Sequence, residues 1–172
     1  MNYTGRVRTL VDKDEPRLHK PSAKVSREEV KNDPLFKQLV LDMIATMAHY
    51  KGVGIAASQI GVYKRVFVIA TTPTISVVVN PVITARVLTD EQIAEGKLIT
   101  ITGPESEGCL SLPDETYDVA RLELITLTGL TPTGRGFRLD LDGYLARVSQ
   151  HETDHLNGIL ICDRAAQQAI VA

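Results

Sequence analysis

The sequence is poor in cysteine and has no excess of charge of either sign. Its two cysteines are too few for a disulfide framework, which favours a reducing compartment. Its 19 lysines and arginines against 21 aspartates and glutamates exclude nucleic-acid binding driven by bulk charge. Residues 1–15 lack the apolar stretch of a signal peptide, and their acidic side chains are untypical of a transit peptide. These absences predict a cytoplasmic protein with no direct nucleic-acid binding.

Long hydrophobic runs are also missing, apart from residues 66–85, which carry no charge. A run of that length is enough to span a membrane. However, Pro73, Asn80 and Pro81 interrupt it, and β-branched residues dominate it. We therefore predict two buried strands joined by a Thr-Thr-Pro-Thr turn, and no association with a membrane.

The remaining pattern predicts one α+β domain over residues 1–172. Asp33 can cap a first helix whose apolar face runs to Met47, and Asp142 can cap a second helix that stops at Gly158. Short helices are expected near residues 26–29 and 89–96, and strands over residues 65–70, 75–79, 82–88, 123–128 and 137–141. We expect an antiparallel or mixed β-sheet packed around the second helix, with the other helix in the N-terminal half.

The second helix contains the sequence HETDH at residues 151–155. His151 and His155 are four residues apart, so both imidazoles lie on one helix face and can bind one metal ion. Glu152 flanks them, where it can accept a proton from a metal-bound water. The alternative is a solvated helix face with no metal. If His151 and His155 bind a metal, the second helix is the metal-binding helix.

A catalytic metal needs a third ligand, and the sequence offers it upstream. In zinc proteases with this motif the ligand lies downstream, where only Cys162 and Asp163 are candidates, both beyond the helix-breaking Gly158. Upstream, Cys109 lies in the segment EGCLSLP, and its thiolate suits iron or zinc. A lone cysteine is more often a small buried apolar residue, which is our interpretation of Cys162.

A glycine-rich segment, GVGIAASQIG at residues 52–61, follows the first helix. Its glycines allow a ligand to approach the backbone, and Gln59 offers an amide donor to a developing oxyanion. The segment lacks the lysine and spacing of a phosphate-binding loop. The alternative is that its small residues only pack.

The segments GVGIAASQIG, EGCLSLP and QHETDHLNG, in this order, resemble the three signature motifs of peptide deformylases. The likeness extends over roughly residues 10–164 and includes Asn80-Pro81, Val119, Arg121 and Asp163-Arg164. Deformylases are α+β metallohydrolases that remove the N-formyl group from the initiator methionine of nascent proteins. The resemblance therefore implies an enzyme that releases formate from formyl-Met-peptides.

The resemblance also implies a metal centre and its acid/base group. Cys109, His151 and His155 match the metal ligands of the family, and Glu152 matches its general acid/base. One divalent ion is implied, natively Fe(II), with zinc, nickel and cobalt able to substitute. In the family mechanism hydroxide attacks the formyl carbon, and the glutamate returns the proton to the leaving amine.

Further positions match the substrate-binding groups of the family. Gln59 and the backbone amide of Leu110 match its oxyanion donors. Backbone groups of Val53, Gly54 and Gly108 are implied to pair with the substrate main chain as an added strand does.

The pocket for the methionine side chain is implied to lie beside the second helix. Tyr144, Arg147 and Val148 occupy the matching positions, and Glu107 with Arg121 matches an ion pair behind the cysteine segment. An unpaired buried guanidinium is costly, so we expect the head of Arg147 to reach water past the pocket wall. This arrangement predicts a pocket open at one end that tolerates polar first residues.

The chain departs from the family pattern mildly at Ile55, where leucine is common, and more clearly in two longer segments. The stretch between residues 81 and 107 is long, which predicts an extra loop near the site. Some bacterial members dock on the ribosome through a basic C-terminal helix, whereas residues 164–172 have Arg164 as their only cation. The expected partners are therefore formylated nascent peptides, and the composition of this segment argues against ribosome docking.

Two other functions remain open at this stage. One is a general metallopeptidase that uses His151, Glu152 and His155, and the other is an inactive relative that binds formylated peptides or a structural metal. The retention of Glu152 and Gln59, which metal binding alone does not need, favours an active enzyme.

Overall fold

Two antiparallel sheets form the framework of the computed structural model, which describes residues 4–71, 73–95 and 101–169. One sheet has five strands in the order β1-β2-β3-β6-β7, and β4 and β5 form a separate hairpin. The strands are β1 (Gly54–Ala56), β2 (Val66–Thr71), β3 (Thr74–Ala85), β4 (Glu105–Cys109), β5 (Leu112–Val119), β6 (Leu124–Leu130) and β7 (Gly136–Asp142).

Five helices accompany the strands within the described residues. They are α1 (Arg27–Asn32), α2 (Pro34–His49), α3 (Asp90–Ala94), α4 (Gly143–Asn157) and α5 (Ile161–Ala169). The Asp33 carboxylate accepts from the Leu35 N–H at the start of α2, and Gly158 ends α4 with a positive φ of 76°. Asp142 is the residue before α4, but its side chain makes no capping hydrogen bond, contrary to our expectation.

Strand β2 is buried on both faces, which accounts for the uncharged run. Val66 and Val68 pack in a core with α2, whereas Phe67 and Ile69 pack in a second core with α4. Helix α4 thus lies against the five-stranded sheet and is central to the fold. The predicted α+β class and the predicted pairing within residues 66–85 are confirmed, while residue 72 of the turn lies outside the described residues.

Three parts of the sequence interpretation need correction. The strands expected at 75–79 and 82–88 form the single strand β3, which continues through a register shift between Val79 and Val82. The helix expected at 89–96 is limited to α3, and residues 96–100 lie outside the described residues. Hairpin β4–β5 was not predicted, because its segments are too polar and irregular to show a clear alternation. Helix α5 was not predicted either, although its apolar residues do recur at a helical period.

Asn80 lies at the register shift of β3 and connects this strand to the segment before α1 through two hydrogen bonds. Its side-chain amide donates to the Val25 carbonyl (2.7 Å) and its side-chain oxygen accepts from the Val25 N–H (2.9 Å). Its φ of 51° is left-handed, a conformation that asparagine tolerates better than most residues.

We expect Asn80→Ala to lower the free energy of unfolding by about 2 kcal/mol, since it removes two hydrogen bonds and strains the backbone. Urea denaturation of the metal-loaded protein measures this change. Asn80→Gly should recover the backbone part of the loss, and Asn32→Ala, at an exposed position, should cost less than about 0.5 kcal/mol. Equal stability of Asn80→Ala and wild type would refute this role.

Among the described residues, none of the helices is both long enough and apolar enough to cross a membrane.

Candidate metal centre

Three segments far apart in the sequence converge at the centre. Helix α4 presents His151 and His155 one turn apart. The hairpin β4–β5 presents Cys109 at the end of β4, where the register shifts between Gly108 and Cys109. The 3₁₀ turn Ala57–Ile60, which follows β1, supplies Gln59.

The three predicted ligand atoms lie close together. Cys109 Sγ is 3.3 Å from His155 Nε2, which is 3.2 Å from His151 Nε2. The ligand atoms of the three residues all lie within 4.8 Å of one another, which is compatible with one shared ion. Among the described residues, the downstream candidates lie in other surroundings: Asp163 accepts from the Leu160 N–H, and Cys162 packs beside apolar side chains.

The chemistry of this donor set fits a divalent ion. Burial lowers the pKa of His155 well below its usual value, which favours the neutral imidazole that binds metal. Cys109 is a free cysteine, and a thiolate with two imidazoles suits both Fe(II) and Zn. Three donors leave a coordination position for water or substrate, as in catalytic rather than structural sites.

Glu152 lies beside the ligands and is almost fully buried, with 3% of its surface exposed. Burial raises the pKa of Glu152 to about 7. Its Oε2 atom has no hydrogen-bond partner within the described part of the chain. A Cβ atom on Gly54 would overlap Glu152 Oε1, so the carboxylate packs directly against the glycine backbone.

Gln59 is held so that its amide nitrogen faces the cysteine. Its side-chain oxygen accepts from the Ala56 N–H at 2.8 Å, which fixes the orientation of the amide. Its Nε2 atom is then 3.5 Å from both Cys109 Sγ and Ser111 Oγ. Sequence reasoning did not select Ser111, although it lies in the EGCLSLP segment and is buried.

Behind the cysteine, Glu107 accepts from His151. Its Oε2 is 3.0 Å from His151 Nδ1, which leaves His151 Nε2 for a metal. The predicted ion pair with Arg121 is present as two hydrogen bonds of 3.0 and 2.8 Å. Burial alone would raise the pKa of Glu107, but Arg121 and His151 outweigh it and hold this pKa well below its usual range.

The expectation that the head of Arg147 extends to water is wrong. Arg147 is only 9% exposed, and its Nη1 donates to Glu107 Oε1 and to the Val119 carbonyl, both at 2.8 Å. Its Nη2 donates to Thr102 Oγ1 at 2.8 Å. With Glu105 Oε2, 3.2 Å from its Nε, the guanidinium has four polar partners that compensate its buried charge, so it has no need of solvent. The predicted opening of the pocket at this residue, with its tolerance of polar substrates, therefore loses its basis.

The site opens into a cavity of about 910 Å³. Every predicted site residue lines it except His155, which lies behind the others and is 1% exposed. The cavity is also lined by residues 9–12, which sequence reasoning missed because the irregular N-terminal segment carries no motif. Val11 N–H donates to the Gln59 carbonyl at 2.8 Å, so this segment contacts the 3₁₀ turn directly.

Comparisons with known proteins agree with this geometry. The family model described as "Polypeptide deformylase" matches residues 7–170. A peptide deformylase of Pelotomaculum thermopropionicum is 38% identical over 148 residues, which cover 83% of this chain and 86% of that protein.

Two solved structures are similar over nearly the whole chain. The Met-Ala-Ser-bound class I type b peptide deformylase of Acinetobacter baumannii has a TM-score of 0.78 at 34% identity, covering 94% of this chain and 99% of that one. The actinonin complex of a peptide deformylase from Synechococcus elongatus has a TM-score of 0.76 at 33% identity, covering 96% and 84%.

Proposed function

The chain belongs to the polypeptide deformylase family, and from this premise we propose which of its residues carry out the reaction. The protein is a metal-dependent hydrolase that removes the N-formyl group from formyl-Met at the start of nascent polypeptides and releases formate. The observation that carries the assignment of roles is the convergence of Cys109, His151 and His155 beside the buried Glu152. We treat residues 1–172 as one catalytic domain.

We propose that one divalent ion, natively Fe(II), is bound by Cys109, His151 and His155. When bound, the ion supplies a Lewis acid and lowers the pKa of a water molecule in its open position. The proposal rests on the close approach of one thiol and two imidazoles and on the neutral state of His155. Anaerobic metal analysis of freshly isolated protein identifies the ion.

Glu152 is the general base and then the general acid. A pKa of about 7 allows the carboxylate to take a proton from water and return it to the leaving amine near neutral pH. The side-chain amide of Gln59 and the backbone N–H of Leu110 donate to the developing oxyanion. The fixed orientation of the Gln59 amide means that little reorganisation is needed during the reaction.

The substrate main chain pairs with Gly54, Gly108 and Val53. Strand β1 is at one edge of the five-stranded sheet, which suits the addition of an extended peptide. The carbonyl of Val53 already accepts from the Ala70 N–H. The group of Val53 that pairs with the substrate is therefore its N–H. The methionine side chain enters beside Tyr144, Val148 and the methylenes of Arg147, all of which line the cavity.

We expect Gly54→Ala to lower kcat on the order of 10²-fold, because the new methyl group displaces the Glu152 carboxylate. Some stability should be lost as well, since the methyl group would also meet Cδ and Cγ of the buried Glu152. Formate release by metal-loaded protein measures the effect. Gly136→Ala is the matched control, because its Cβ would meet nothing closer than 4.0 Å. Wild-type kcat in Gly54→Ala would show that Glu152 is not held against this glycine.

The cellular setting follows from the substrate and from the two free thiols, which favour a reducing cytoplasm. We propose that α5 does not serve as a basic ribosome-docking helix. Arg164 is its one cation, and the Arg164 guanidinium forms an ion pair with Asp154 rather than projecting freely. No direct binding of nucleic acid or membrane is proposed.

Substrate comparison separates this function from the two alternatives. Metal-loaded protein is expected to release formate from a formyl-Met-peptide and to leave the same unblocked peptide intact. Cleavage of the unblocked peptide would identify a metallopeptidase. Binding of the formyl-peptide without formate release would identify an inactive relative.

A further inference from the structure

Arg147 lies on α4 one turn before the proposed ligand His151 and lines the cavity, and its guanidinium is held by groups of other elements. Nη1 donates to Glu107 Oε1 and Nη2 to Thr102 Oγ1, both at 2.8 Å. Its Nε lies 3.2 Å from Glu105 Oε2. The side chain therefore combines two features: it lines the cavity, and its charged head is fixed by protein groups.

Glu107 joins Arg147 to the metal centre. One carboxylate oxygen, Oε1, accepts from Arg147 and Arg121, and the other, Oε2, accepts from Arg121 and His151. Two donors on Oε1 fix the plane of the carboxylate. Since Oε2 then has a defined position, the imidazole of His151 has a defined orientation, with Nε2 towards Cys109 and His155.

The charges of this cluster alternate along a chain of five groups. Arg147 pairs with Glu107, Glu107 with Arg121, Arg121 with Asp154, and Asp154 with Arg164. The Arg121 guanidinium forms ion pairs with two carboxylates, those of Glu107 and Asp154. Arg147 therefore pairs with Glu107 but, unlike Arg121, does not also pair with Asp154.

We propose that Arg147 is a positioning residue for the metal centre, which it stabilises by fixing Glu107 and, through it, His151. This inference rests on the proposed role of His151 as a ligand and goes beyond it by assigning a function to a pocket residue. The guanidinium reaches Glu107 and Thr102 at the same time, whereas a lysine ammonium at this position would keep the pairing with Glu107 and lose the fork of donors.

Two other roles for Arg147 predict different results. A cation acting only through space would repel a divalent ion, so its removal would strengthen metal binding. A residue that only forms the pocket wall would affect KM and the preference for the first substrate residue, without changing metal affinity. The positioning role predicts weaker metal binding and a lower kcat.

The test measures Co(II) affinity of the full chain under anaerobic conditions, by competition with a chelator and by the thiolate-to-Co(II) absorption. We expect Arg147→Met to weaken Co(II) binding about 10-fold, at the lower end of the range for outer-shell partners of a metal ligand. kcat for a formyl-Met-peptide should fall more than KM rises. Arg147→Lys should bind Co(II) more tightly than Arg147→Met, because its ammonium can still hold Glu107. Arg138→Met, which removes a guanidinium that is 65% exposed, is the control and should match wild type.

Unchanged or tighter Co(II) binding in Arg147→Met would overturn the proposal, as would an Arg147→Lys protein that binds no better than Arg147→Met. If Arg147→Met does not fold, Arg147→Gln decides by the same measurement: weaker binding supports the role, and wild-type affinity overturns it. Wild-type protein without thiolate-to-Co(II) absorption would instead contradict the ligand set of the proposed function. The two failures are therefore distinguishable.

Discussion

Replacing Glu152 with glutamine lowers kcat by about 10²–10⁴-fold while the metal stays bound, if Glu152 moves the proton and is not a ligand. The amide is nearly isosteric with the carboxylate, so the packing against Gly54 is kept. It cannot accept a proton from water at neutral pH. Because Oε2 of Glu152 has no partner among the described residues, the exchange breaks no hydrogen bond of that atom in the protein.

Formate release and metal content of the same Glu152→Gln preparation decide this prediction. Metal content is determined first, so that loss of activity is not confused with loss of the ion. Gln150→Glu, next to His151 on the same helix, is unsuitable as a control because the Gln150 side chain hydrogen-bonds to the backbone of Leu122. The control is Arg138→Met. Substantial turnover by metal-replete Glu152→Gln would reject the general acid/base assignment.

Replacing Cys109 with alanine abolishes stable metal binding, and activity is lost with it. The change removes one of three ligands, so we expect a loss of affinity larger than the 10–100-fold that an outer-shell partner costs. Cys162→Ala is the matched control. Cys162 packs with Leu112, Val119 and Leu160, and we expect its variant to keep both metal and activity.

Equilibrium dialysis against a chelator, followed by metal analysis, measures both cysteine variants. Thermal unfolding of the metal-free proteins shows whether Cys109→Ala still folds. Serine at position 109 provides a second variant in which an oxygen remains near the histidines. Normal metal content in Cys109→Ala, or metal loss in Cys162→Ala, would mean that the ligand set was assigned to the wrong cysteine.

The helices α2 and α4 were predictable because their signals are local. Asp33 and Pro34 mark the start of α2, and the spacing of His151 and His155 places both on one face of a helix. The confirmed pairing of β2 with β3 also follows from a local signal, the uncharged run broken by proline. In these cases the information lies within a few residues of chain.

The unpredicted features depend on contacts between distant segments. Hairpin β4–β5 is built on polar residues, and its function of presenting Cys109 follows from where it packs, not from its hydrophobic period. The position of the Arg147 guanidinium was predicted wrongly because its acceptors, Thr102 and Glu107, are 45 and 40 residues away in the sequence. A cost of burial could be foreseen, but the partners that compensate it could not.

Formate release from formyl-Met-Ala-Ser by anaerobically loaded Fe(II) protein tests the central claim most directly. We expect one formate for each formyl-peptide consumed, loss of this activity when a chelator removes the ion, and its return when Fe(II) is added back. The peptide bond of Met-Ala should stay intact throughout. No formate from the Fe(II)-loaded protein, or formate release that persists after complete metal removal, would contradict the account.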